Sequence, residues 1–324
     1  MLKKIARTAV KVVTAVLSFT LIFSFIQPFF IPKFINYDAE TTVLVNSYRQ
    51  LEQNSIDVLF LGSSQMFRSI DAERLYNEYN INAYNYGASG QWMSITPYYF
   101  YEALKTQTPE LILLEVGCIF NKNSELTAKE IAWNYAPTPL TKEKIASLEQ
   151  VLGSRSKAYE HAFFPLLVYH DRWRTLNNAS NGKNKYDIDY VLHPEKYNSL
   201  YPRGFVGLDI VNEQNFNFKN SAVALKEIPE ESKNAIDLIA EECRMRHIDL
   251  LFFKSPAPFW TRGDEQSVRE FLDERQLTYV DLNNYYDEMA LNNHTDFSDQ
   301  QHLSLSGAEK VTDFLAKMLP QYIR

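Results

Sequence analysis

The longest apolar run in the chain comes first. Between Lys11 and Lys33 lie 21 uncharged residues, Val12 to Pro32, rich in Val, Leu, Ile and Phe. At about 1.5 Å per residue, a helix of that length crosses the hydrocarbon core of a bilayer. A cleaved signal peptide would have a shorter apolar region closed by a small-residue site, whereas 24–33 reads SFIQPFFIPK, with no A-x-A. The pattern predicts a transmembrane anchor over 12–32, preceded by a basic tail over 1–11 and followed by a juxtamembrane segment over 33–55, amphipathic around Thr41–Leu51.

From residue 56 the rhythm changes to short apolar runs separated by helical patterns. IDVLFL (56–61) ends in Gly-Ser-Ser, as a buried parallel strand would. A helix from an Asp71 cap through Tyr79, a strand over Ala83–Tyr86, a loop at Gly87–Gly90, a helix over Thr96–Lys105 and a strand over Leu111–Val116 follow. Strands alternating with helices imply a parallel sheet. From about 121 to 218 the rhythm stops in a stretch rich in Tyr, Trp, Asn and Pro, with helices expected over Lys142–Leu152 and Tyr159–Leu176. It resumes with helix Ser221–Arg246, strand Asp249–Lys254, helix Asp264–Glu274, strand Thr278–Leu282 and helix Ser304–Leu319. The economical description is one α/β domain over 56–324, interrupted by an α-rich aromatic insertion.

Composition and charge narrow the function. With 45% hydrophobic residues, 10 glycines and 13 prolines the chain can bury a substantial core. Five of its 33 basic residues, and none of its acids, precede residue 38, which leaves 28 bases against 40 acids in the remainder, a net −12. A nucleic-acid binder needs a basic face, so that class is excluded. Four bases lie before the apolar run and only Lys33 just after it, which predicts a cytoplasmic N-terminus and an external domain. The two cysteines, Cys118 and Cys243, are compatible with one disulfide or with two buried thiols. No C-x-x-C, H-E-x-x-H or Walker-type loop occurs, so no metal and no cofactor are expected.

In an open parallel sheet ligands bind beyond the carboxyl ends of the strands. Ser63 and Ser64 follow the first strand; Gly87, Ser89 and Gly90 the second; Gly117, Cys118 and Asn121 the third. Near the C-terminus, Asp299 and His302 stand three residues apart before the last helix. That spacing lets a carboxylate orient an imidazole as a general base; it equally suits a turn cap beside a solvated histidine. Asp296 is the other carboxylate within reach. Ser64, in a tight turn between a buried strand and a helix, has the placement of a nucleophile. His247 is expected to end a helix.

Taken in order, these pieces resemble the SGNH/GDSL hydrolases. Gly62-Ser63-Ser64 is similar to the nucleophile block, Asn85-Tyr-Gly-Ala-Ser-Gly90 to the glycine block and Asp299-x-x-His302 to the terminal block. Gly-Ser-Ser in place of Gly-Asp-Ser, the single anchor and the segment Phe164–Trp173 resemble the membrane-anchored, DltD-like branch. The resemblance implies a three-layer α/β/α, flavodoxin-like parallel sheet and a triad of Ser64, His302 and Asp299. It also implies an oxyanion hole built from the Ser64 and Gly90 N–H groups. The family's third-block Asn falls on Ile119 here, so either Asn121 or another donor substitutes or the hole is one donor short. The implied substrates are acyl esters of cell-surface glycans or teichoic-acid-like polymers, with a membrane-embedded acyltransferase as a further partner. His170, Arg172 and Trp173 either line a substrate pocket or belong to a packing helix. The competing function is that of a non-catalytic accessory protein that keeps the fold and binds an envelope polymer or the acyltransferase.

Overall fold

The computed structural model describes residues 2–31, 40–154, 156–174, 185–197 and 199–323. Helix α1 (Leu2–Phe30) is, among the described residues, the one helix long and apolar enough to cross a membrane, and the domain covers little of it. An apolar surface left bare along most of a helix is what lipid, not water, solvates.

After α2 (Glu40–Arg49) come β1 (Val58–Gly62), the one-turn α3 (Ser64–Phe67), α4 (Ala72–Tyr79), β2 (Ala83–Gly87), α5 (Thr96–Ala103) and β3 (Leu111–Glu115). The insertion supplies α6 (Ala128–Tyr135), α7 (Lys142–Leu152), α8 (Ser156–Phe163), α9 (Pro165–Tyr169) and α10 (Lys185–Leu192). The chain closes with α11 (Glu230–Arg246), β4 (Asp249–Lys254), α12 (Arg262–Asp273), β5 (Thr278–Asp281) and α13 (Leu305–Met318). The five strands form one parallel sheet in the order β2-β1-β3-β4-β5. Strands β1 to β3 are buried throughout, because helices cover both faces, and this is why VLFL of β1 and LILL of β3 read as apolar runs, while β2 (AYNYG) buries the Asn85 amide with its Nδ2 donating to the Ile70 carbonyl. Alternate residues feed two cores. Leu59, Leu61, Ile112 and Leu114 face α5 and α11, while Val58, Phe60, Leu111 and Leu113 face α4 and α13. The chain steps from β1 outward to β2 and then crosses back past β1 to β3 on its other side, and this reversal between β1 and β3 opens a crevice at their carboxyl ends.

Several expectations change. The helix expected over Tyr159–Leu176 is divided: α8 stops at Phe163, Pro165 starts α9, and His170–Arg174 is a 3-10 turn, with 175 and 176 outside the described residues. Proline explains the break, since it lacks the N–H a continuous helix would need. The helix expected from Ser221 starts only at Glu230, after Pro229, which cannot donate to a preceding turn. The segment around Thr41–Leu51 is a buried helix, with Val43, Leu44, Val45 and Tyr48 at most 1% exposed, so it belongs to the α/β unit. Cys118 and Cys243 are free thiols, which removes the disulfide alternative. His247 does end α11, in a left-handed conformation.

Candidate active site

β1 runs out at Gly62, and the Ser63 hydroxyl accepts from the Gln65 N–H to cap α3, so the strand turns directly into a helix at Ser64. Ser64 is half-buried and its Oγ lies 2.8 Å from His302 Nε2. The loop that delivers His302 is a tight reversal closed by a bridge between Phe297 and Leu303 and by a bond from the Ser298 N–H to the His302 carbonyl. Inside it, Asp299 Oδ1 accepts from the backbone N–H groups of Gln301 (2.7 Å) and His302 (2.9 Å). The same carboxylate meets His302 Nδ1, at 2.8 Å from Oδ2 and 3.1 Å from Oδ1. The turn cap and the imidazole partner are therefore one residue. His302 is 8% exposed, so it is not a solvated histidine. An ionised carboxylate only accepts, so Nδ1 carries the proton and, in the neutral ring, Nε2 presents a lone pair to the Ser64 hydroxyl. Partial burial opposes the charge on Asp299, but the hydrogen bonds from His302 and the two backbone N–H groups outweigh it and hold the carboxyl below its usual range.

Asp296 has different partners. Its carboxylate is fully buried and receives the Lys310 ammonium (2.6 Å), the Ser306 and Thr295 hydroxyls and the Asn292 N–H.

Gly90 adopts φ +59°, in the left-handed region that glycine enters without strain. Its loop is clamped from two sides. From the insertion, the buried Asn134 amide in α6 approaches the Ser89 and Gly90 carbonyls at 3.4 and 3.3 Å. From α2, Thr41 Oγ1 accepts from the Ser89 N–H and Glu40 Oε2 from the Ser89 hydroxyl, while the other Glu40 oxygen pairs with Arg68 just beyond α3 (2.6 Å). Among the described residues, the N–H groups of Ser64 and Gly90 are not spent on a hydrogen bond. Ile119 is fully buried in the core, and Asn121 is half-buried in the loop after β3. Burial pushes the Cys118 thiol, beside Ser63, up to about 12, with Glu115 adding to the effect, so it is no competing nucleophile.

One cluster escaped the sequence reading. Lys254, fully buried at the end of β4, donates to Gln65 Oε1 (2.7 Å), Glu115 Oε1 (3.0 Å) and the Ser255 carbonyl (2.8 Å). Glu115 Oε2 accepts from the Gly117 N–H (2.9 Å), and any side chain at Gly117 would collide with the Gln65 amide. The only signal for it was a charge closing each of two apolar runs, LILL before Glu115 and LLFF before Lys254.

His170, Arg172 and Trp173 lie elsewhere, at the C-terminal end of α1. His170 Nδ1 is 2.8 Å from the Leu167 carbonyl, Arg172 donates to the Phe30 carbonyl (2.7 Å), and Trp173 is 62% exposed. Among the described residues no group of three His, Cys, Asp or Glu side chains is arranged to hold a metal ion. Neither a protein-family model nor a curated protein matches the chain.

Proposed function

We propose that the chain is an extracytoplasmic serine esterase or O-acyltransferase of the SGNH/GDSL type, held by a single N-terminal span with its N-terminus in the cytoplasm. The observation that carries this reading is the continuous line from Ser64 Oγ through both nitrogens of His302 to Asp299, at 2.8 Å on each side of the ring. Ser64 Oγ attacks the carbonyl carbon of an ester while His302 Nε2 takes its proton, and Asp299 stabilises the imidazolium that results. The ester C–O bond then breaks as His302 returns the proton to the departing alkoxide. This leaves an acyl group on Ser64. Water or a sugar hydroxyl attacks that acyl-enzyme, with His302 again as base, which gives hydrolysis or transfer.

The free N–H groups of Ser64 and Gly90 are the donors for the oxyanion, and Asn121 is the candidate for a third. An anchor suits an acceptor or donor that is itself at the membrane, such as an acylated surface glycan or a teichoic-acid-like polymer, or a membrane-embedded acyltransferase working beside it.

A fluorophosphonate probe tests the reading, because only an activated serine is phosphonylated quickly. Labelling is expected in the wild type and is expected to vanish in Ser64→Ala and His302→Ala. One observation favours the accessory-protein reading: the family's oxyanion Asn is replaced by Ile119, whose side chain is committed to the core. Losing such a donor costs about 2.7–4 kcal/mol of transition-state stabilisation. A wild type that resists the probe as its Ser64→Ala variant does would decide for that second reading.

A further inference from the structure

We infer that the insertion segment Phe164–Trp173 is seated in the bilayer beside α1, so that the domain touches lipid directly as well as through its anchor. The inference rests on the reading of α1 as a membrane span. The run Ala162–Tyr169 (AFFPLLVY) carries no charge. Within it the Phe164 ring packs edge-on against Phe23 of α1, with centroids 5.5 Å apart. Phe23 stands two turns before the end of α1 at Phe30, about 10 Å along the helix axis. If Phe30 emerges at the membrane surface, Phe23 lies about 10 Å inside a hydrocarbon layer roughly 30 Å thick, and Phe164 shares that depth.

The alternative, that the end of α1 stands clear of the membrane, is opposed by charge. Moving Phe23 out to the surface would draw Lys11 toward the bilayer centre, where a lysine costs about 2.5–3.5 kcal/mol even on insertion-based scales. The frame bounded by Lys11 and Lys33 avoids that cost.

The side chains are graded in the order this depth requires. Phe164 and Leu167 are 44% and 50% exposed, apolar surface that acyl chains would cover. The immersed backbone is internally bonded where it leaves α8 and enters α9, by the Phe164 N–H to the Glu160 carbonyl and the Leu167 N–H to the Phe164 carbonyl. The 3-10 turn His170–Arg174 follows, and its Arg172 reaches Phe30, the level at which charged groups and tryptophan such as Asp171 and Trp173 belong. Arg172 donates to the Phe30 carbonyl, a cation at a helix C-terminus that also occupies an acceptor the helix itself leaves open.

The test needs no variant. The full-length chain is reconstituted into vesicles of phosphatidylethanolamine and phosphatidylglycerol that contain a phospholipid with a diazirine at its acyl-chain end. After irradiation the tryptic peptides are mapped for lipid adducts. Adducts are expected on the peptide from Val12 to Lys33, which reports the span, and on the peptide from Ala158 to Arg172, which reports the segment. Adducts on the first peptide alone overturn the inference and leave the anchor standing. Adducts on neither remove the anchor and the inference together.

Discussion

Asp296 and Asp299 stand in one loop, yet their surroundings differ. Asp296 is fully buried and tied to Lys310 and three further donors, whereas the Asp299 side chain is 40% exposed and turned to His302. Burial alone would raise the Asp296 carboxyl, but the Lys310, Ser306, Asn292 and Thr295 hydrogen bonds prevail and lower it. A carboxyl lowered by folding stabilises the native state above its unfolded pKa of about 3.9, and that contribution is lost as pH falls through the folded value. Asp296→Asn should therefore cost about 2–3 kcal/mol at neutral pH, short of the 3–5 typical of fully buried pairs because Lys310 is 34% exposed. Melting curves on the acid side should then depend less on pH than those of the wild type. Fluorophosphonate labelling of that variant should continue. Asp299→Asn should do the reverse, leaving melting within about 1 kcal/mol while slowing labelling steeply, since an amide can hold the wrong tautomer of His302. Equal loss of stability in both variants would make Asp299 a turn cap and nothing more.

The ends of β1, β3 and β4 converge, and what joins them is the Lys254 ammonium held between Gln65 and Glu115. Removing one partner leaves a buried charge unpaired, so Lys254→Met and Glu115→Gln should each destabilise by about 3–5 kcal/mol. The double variant should be less damaged than their sum, which denaturant titration of the four proteins measures; strict additivity would deny the pairing. Apart from this cluster, the strands were legible. LFL, LILLE and LLFF are runs that only a sheet covered on both faces demands, and the observed strands fall within two residues of the expected ones. The serine turn and the Asp299–His302 loop were legible too, because each is a local motif whose neighbours in space are its neighbours in sequence. Lys254 and Glu115 were not, since a charge at a strand end reads as a terminator until three strands are brought side by side; nor was Asn134, an uncharged helical amide whose partners at Ser89 and Gly90 lie 45 and 44 residues earlier. The breaks at Pro165 and Pro229 were misread because the apolar period continues through them, and His170, Arg172 and Trp173 because nothing local says that their neighbour is a helix some 140 residues earlier.

At the scale of the molecule, the anchor and the candidate site are connected through very little chain. Residue 40, the first of α2, joins the Arg68 guanidinium beyond the nucleophile turn to the Ser89 hydroxyl in the glycine loop. The rest of α2 packs Leu44 into one core and Val45 and Tyr48 into the other, closing the sheet at its β2 edge. Fully burying side chains of this kind contributes about 1.5–3 kcal/mol each, and a domain's whole stability is about 5–15 kcal/mol. The soluble unit should accordingly begin before α2 and not at the first strand. A chain that starts at residue 38 loses the apolar span but keeps every α2 contact, and it should be soluble, melt cooperatively and react with the fluorophosphonate. One that starts at residue 54 gives up the Glu40–Arg68 ion pair, the clamp on Ser89 and the covering of Tyr84 and Tyr86 by Tyr48. It should aggregate or melt without a cooperative transition, and what remains soluble should label poorly because the Gly90 loop has lost one of its two supports. If both truncated chains fold and label alike, α2 is only a tether and the coupling between anchor and site falls.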